Sequence, residues 1–214
     1  MSERRLTLPN LITAARIVAA PVVAWLALSS GTGLRFAAFA LFLAAALSDL
    51  WDGYLARKHG WITDIGKLLD PLADKLLLAA TLVPIYIISQ RAGTLDDVPF
   101  WGPFPLWAMA VLLGRELFIT LFRSYANRQG VVIAAGRSGK YKALVQNLFV
   151  GGLLLWYPLQ QWALGRGFSG PLWGAWSTFH RLFVAVTFAV ALVLTIYSML
   201  DYLWRYRSLM GFRT

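Results

Sequence analysis

A chain of 214 residues with 58% hydrophobic residues, 14% aromatics and a mean hydropathy of +0.60 is too apolar for an ordinary soluble domain and excludes a disordered one. Its formal net charge of +10 suits anionic lipid headgroups or a phosphorylated substrate, while basic residues set between apolar runs argue against nucleic acid. With no cysteine there is no disulfide, thiolate metal site or catalytic thiol.

Taken in chain order, the apolar runs predict one all-α integral membrane domain over residues 1–214 with six transmembrane helices. These lie at about 10–30, 34–57, 66–90, 105–127, 138–164 and 174–204, each long enough for ~30 Å of hydrocarbon. Residues 1–9 read as a short interfacial segment. Arg4 and Arg5 precede an apolar run that is long and lacks a small-residue cleavage site, so it is taken as the first span and not a signal peptide. Arg91–Pro103, with Gly, Asp-Asp and two prolines, and the Gly-rich stretch Gly165–Pro171 read as loops. Basic residues set the orientation. Arg4, Arg5, Arg57, Lys58, Lys67, Arg123, Arg128, Arg137, Lys140, Lys142, Arg205, Arg207 and Arg213 fall on one side, and Arg35, Arg91, Arg166 and Arg181 on the other. The positive-inside rule then puts both termini in the cytoplasm.

The second and third spans carry a constellation of carboxylates. Asp49, Asp52, Asp70 and Asp74 lie within 26 residues and are four of only ten acids in the chain. In or near a bilayer a carboxylate is costly unless it is paired, hydrated or bound to a cation. Asp49, Asp52 and Ala56 share one helical face, and Gly66, Asp70 and Asp74 share a face of the next helix. A short connection makes these helices antiparallel neighbours, so the acidic faces can meet at the cytoplasmic end. Oxygen ligation without His or Cys selects Mg²⁺, Mn²⁺ or Ca²⁺. Two such ions would clamp a diphosphate. Gly53 and Ala56 leave room for a ligand to approach the backbone, and Arg57 offers a planar fork to phosphate. A plainer reading makes Asp70-Pro71 a helix start, with Asp49 and Asp52 in ion pairs with Arg57 or Lys75.

The string Asp49-x2-Asp52-Gly53-x2-Ala56-Arg57-x8-Gly66-x3-Asp70-x3-Asp74 resembles the signature of the CDP-alcohol phosphotransferase family at every fixed position. The resemblance implies a six-helix membrane enzyme, usually a homodimer, that displaces CMP from a CDP-linked lipid with a hydroxyl nucleophile and Mg²⁺ or Mn²⁺. By position, Asp49, Asp52, Asp70 and Asp74 would be metal ligands and Asp74 also the general base. Gly53, Ala56, Arg57, Thr63 and Gly66 would line the CDP site. Further strings, Asn10-Leu-Ile-Thr13-Ala-Ala-Arg16, Leu69-Asp70-Pro71-Leu-Ala-Asp74-Lys75, Arg115-Glu116 and Gly139-Lys140-Tyr-Lys142, are similar to the branch that joins CDP-diacylglycerol to sn-glycerol 3-phosphate in the bacterial cytoplasmic membrane.

An anionic acceptor needs cations nearby. Arg115 and Arg123 share a face of the fourth span, and Lys140 opens the fifth. These three are the expected acceptor-phosphate site, with Arg115 turned to a polar cavity and away from Glu116. Arg128 and Lys142 are read as orienting charges that meet lipid headgroups. Asn10, Thr13 and Arg16 are expected at the CDP-lipid entrance, or else as an N-capping pair with a snorkelling Arg. His59 is expected to be solvated and His180 to have no part in the chemistry. Two other readings stay open: the same chemistry with inositol phosphate, serine or phosphatidylglycerol as acceptor, and a divalent-cation transporter. A transporter would spread acids across helices at mid-membrane.

Overall fold

The computed structural model describes residues 8–59, 64–91, 96–131 and 137–207; within them, the side chains at 50, 52–57, 59, 64, 65, 67, 68, 137, 138 and 140 fall outside the description. Six helices make up the described chain: α1 Leu8–Leu28, α2 Thr32–His59, α3 Asp64–Ser89, α4 Leu106–Arg128, α5 Arg137–Gly165 and α6 Pro171–Arg205. Each predicted span coincides with one helix to within a few residues. One local expectation is overturned. Because α3 starts at Asp64, Asp70 and Pro71 lie inside it, so Asp70 is not a helix cap. The proline is tolerated there because only one amide proton is lost from a helix that packs along its length.

The helices pack in a ring in the order α1, α3, α4, α6, α5, α2 and back to α1, with α3 and α5 also touching across it. Among the described residues, four stretches are long and apolar enough to cross a membrane: Leu8–Leu28, Thr32–Asp49, Leu69–Ser89 and Pro171–Arg205. α4 and α5 are less apolar, because α4 carries Arg115, Glu116 and Arg123, and α5 carries Lys142, Gln146 and Asn147. The outward faces of α1 and α6 expose Leu11, Val18, Trp25, Val186, Val193 and Leu200, a surface suited to hydrocarbon. The core centres on Phe104, Phe149 and Phe188, all fully buried, with ring centroids 4.8–6.0 Å apart.

The segment from Asp96 to Pro105 is a packed plug at the end of the bundle where α1 leads into α2. Arg35 at the start of α2 donates to both carboxylate oxygens of Asp96 (3.0 and 3.1 Å) and to the Ser29 carbonyl (2.9 Å). Val98 and Phe104 are buried. Phe100 takes a left-handed φ of 66° that a bulky residue rarely adopts, and its ring receives the Arg181 guanidinium at 4.8 Å. His180 of α6 donates from Nε2 to the Gly152 carbonyl of α5 (2.8 Å) and stacks on Trp156, which ties those two helices together.

Candidate active site

At the opposite end, where α2 finishes and α1, α3 and α5 begin, the polar side chains gather. Thr13 and Arg16 are three apart on α1 and therefore share a face. That face lies against α3, where Asp70 and Asp74 are four apart, and beside the end of α2, which presents Asp49. Thr13 Oγ donates to Asp70 Oδ1 at 2.7 Å, its shorter contact; the Pro9 carbonyl is at 3.0 Å. One Nη of Arg16 bonds both Asp49 Oδ1 and, at 3.0 Å, Asp74 Oδ1; the other Nη lies 3.7 Å from Asp70 Oδ1. Three helices are therefore joined by one guanidinium.

Burial is uneven across this cluster. The Arg16 side chain is 3% exposed, whereas those of Asp49, Asp70 and Asp74 are 41%, 51% and 58% exposed. The cation lies beneath the carboxylates, and the carboxylates keep an open side. The capping-and-snorkelling alternative for α1 is thereby overturned: Thr13 lies inside the helix, and Arg16 is buried among acids instead of reaching for the interface. Asp49 pairs with Arg16, and Lys75 donates to the Pro71 carbonyl (2.8 Å).

A cavity of about 160 Å³ opens beside these acids, lined by Arg16, Asp49, Asp74, Lys75, Glu116, Lys142, Gln146 and Asn147. Phe42, Ala45, Leu77 and Leu78 supply its apolar wall. Sequence reasoning missed how α4 and α5 meet here. Glu116 accepts a hydrogen bond from Arg115 Nη1 at 2.9 Å and a second from Lys142 Nζ. The expectation that Arg115 turns away from Glu116 is thus corrected. Neighbouring positions on a helix diverge at Cα, but the long Arg side chain curls back, and Glu116 lines the cavity in its place. Lys142 is corrected too: it is buried at the cavity wall and does not extend to headgroups. Its place was readable only as an i, i+4 partner of the buried Gln146, whose Oε1 has no hydrogen-bond partner. Arg123 lies away from this wall, with its guanidinium 5.9 Å from the centre of the Tyr202 ring.

Asn10 is buried near the start of α1 and Gly66 is buried near the start of α3. Asp52, Gly53, Ala56, Arg57 and Lys140 belong to α2 and α5, but their side chains lie outside the described residues, as does Thr63 altogether.

Among the described residues no three acidic or histidine side chains are gathered around a common ion position. Asp49, Asp70 and Asp74 converge on a guanidinium. Their donor set still fits a hard divalent cation, since it is all carboxylate oxygen, without imidazole or thiolate, and its open side is accessible.

The family model described as CDP-alcohol phosphatidyltransferase matches residues 6–197. A relative from Mycobacterium tuberculosis (strain ATCC 25618 / H37Rv), named "Probable phosphatidylglycerophosphate synthase", is 34% identical over 202 residues, covering 92% of this chain and 80% of its own. A relative from Bacillus subtilis (strain 168), named "CDP-diacylglycerol--glycerol-3-phosphate 3-phosphatidyltransferase", is 36% identical over 160 residues, covering 69% and 76%. A third, from Oryza sativa subsp. japonica and named "Cardiolipin synthase (CMP-forming)", is 36% identical over 146 residues, covering 66% and 43%.

Proposed function

Because the chain belongs to the CDP-alcohol phosphatidyltransferase family and is a phosphatidyltransferase enzyme of phospholipid synthesis, we propose that it transfers the phosphatidyl group of CDP-diacylglycerol to sn-glycerol 3-phosphate, giving phosphatidylglycerophosphate and CMP. The observation that carries this reading is the shared cavity. Its lining brings the carboxylates Asp49 and Asp74, suited to a cation-bound diphosphate, together with Lys75 and Lys142, suited to an anionic acceptor.

In this reading Asp74 takes the proton of the acceptor hydroxyl as its oxygen bonds to the β-phosphorus. The bond from that phosphorus to the bridging oxygen breaks, and the electron pair departs with CMP. Asp49, Asp52, Asp70 and Asp74 would hold Mg²⁺ or Mn²⁺, two ions in our reading, which would supply positive charge to the diphosphate and to the leaving phosphate. Asn10, Thr13, Arg16, Gly53, Ala56, Arg57, Thr63 and Gly66 would form the donor site. The acceptor phosphate would be met by Lys142 at the cavity wall and by Lys140, with Arg115 and Arg123 adding positive charge from outside the cavity lining and Glu116 holding Arg115 and Lys142 in register.

The surrounding architecture follows the same reading. All six helices would cross a bacterial cytoplasmic membrane, α4 and α5 keeping their polar residues toward the cavity. Both termini and the active site would face the cytoplasm, and two copies would pair as a homodimer. The name of the rice relative favours a second reading, in which phosphatidylglycerol is the acceptor. Acceptor profiling decides between them. Purified protein with CDP-diacylglycerol and Mg²⁺ is expected to form product with sn-glycerol 3-phosphate and not with phosphatidylglycerol, inositol phosphate or serine. Product from phosphatidylglycerol alone would replace the first reading with the second.

A further inference from the structure

One residue serves all three aspartates of the cluster whose side chains are described. Arg16 reaches Asp49 on α2 and Asp70 and Asp74 on α3, and it does so from beneath, almost fully buried, while the carboxylates stay about half exposed. Without a cation these closely set carboxylates would repel one another. The guanidinium supplies that cation from within the chain. That one charge lies within reach of several carboxylate oxygens at once.

From this we propose that Arg16 is the resident counter-cation of the aspartate cluster, holding Asp49 and Asp74 together before a divalent ion arrives and lowering the cluster's affinity for that ion. The inference rests on the metal-assisted reading given above. Two effects of Arg16 on metal binding oppose each other. Holding the carboxylates in place favours binding by the rotamer freedom already given up, which is small for an acid as short as Asp. A fixed positive charge among the same oxygens opposes a dication by Coulomb repulsion, and it also occupies Oδ1 of Asp49 and Asp74 with charge-assisted hydrogen bonds. At contact distance, and with Arg16 itself almost fully buried, the second effect is the larger.

The test is Mn²⁺ binding to the purified full chain without lipid donor, followed by the loss of the free-ion electron paramagnetic resonance signal. Arg16→Gln is expected to bind Mn²⁺ about tenfold more tightly than wild type, the scale of removing one charge-assisted competitor. Its thermal midpoint should also fall more than the wild type's when Mn²⁺ is chelated. Arg16→Lys keeps the charge and is expected to stay within about twofold of wild type. Unchanged or weaker binding by Arg16→Gln overturns the proposal, as does a tenfold loss in Arg16→Lys, which would mark Arg16 as a geometric brace only. Should Arg16→Gln not fold, the Arg16→Lys result decides alone. Failure of this kind leaves metal-dependent CMP release intact, whereas absence of Mn²⁺ binding in all three proteins counts against the metal-assisted reading itself.

Discussion

At the scale of single residues, the proposed chemistry turns on Asp74. It lines the cavity together with Lys75 and Lys142, is more than half exposed, and shares Arg16 with Asp49. As base it would be needed for turnover and much less for holding the donor lipid. Asp74→Asn keeps the shape and removes the proton acceptor, so turnover should fall by about 10²–10⁴-fold. Binding of CDP-diacylglycerol, followed by its protection against thermal unfolding, should largely persist. Turnover within a few-fold of wild type would remove Asp74 from the base role. The aspartates were legible in the sequence because their spacing is set by helix period alone. Their partners were not. Arg16 lies 33 residues from Asp49 and 58 from Asp74, and Glu116 lies 26 from Lys142, so those pairs exist only once helices pack. Arg115 shows the hazard of reasoning from Cα directions alone, since side-chain length decided its contact.

Among the elements, α5 lets the ring close. Its Gly151 and Gly152 face α2 and α6: a Cβ at Gly151 would lie 3.2 Å from Phe42, and one at Gly152 would lie 3.0 Å from Phe183 and 3.2 Å from Val184. Small residues there allow close approach, as membrane helices commonly require. Gly152→Val is expected to lower stability by about 1–3 kcal/mol through overpacking. Gly114→Ala on α4, where an added Cβ meets nothing within 4 Å, should be neutral or gain up to about 1 kcal/mol from helix propensity. Unfolding midpoints in one detergent compare the two, and equal shifts would contradict the packing argument. The helices themselves were readable because long apolar runs leave little choice in a bilayer. The plug at Asp96–Pro105 was not, because the Arg35–Asp96 pair and the left-handed Phe100 depend on tertiary contacts and leave no periodic trace.

For the whole molecule, the account places the polar cavity at one membrane face and the Arg35–Asp96 plug at the other. The absence of native cysteine makes that directly testable. In intact cells a membrane-impermeant maleimide is expected to label Ser169→Cys, between α5 and α6, and to spare Gln129→Cys, after α4. The reverse pattern would invert the orientation. Charge placement along the chain carried this reading, whereas the acceptor rests on cavity cations whose positions only packing reveals. What unites the scales is the proposed reaction, in which carboxylates, cation and phosphates would meet. Its direct measurement is CMP release by the purified protein from CDP-diacylglycerol and sn-glycerol 3-phosphate, with and without a divalent ion. The account predicts CMP and phosphatidylglycerophosphate in equal amounts, abolished by chelation and restored by Mg²⁺ or Mn²⁺; equal rates in the presence and absence of the ion, or CMP release that yields no phosphatidylglycerophosphate, would contradict it.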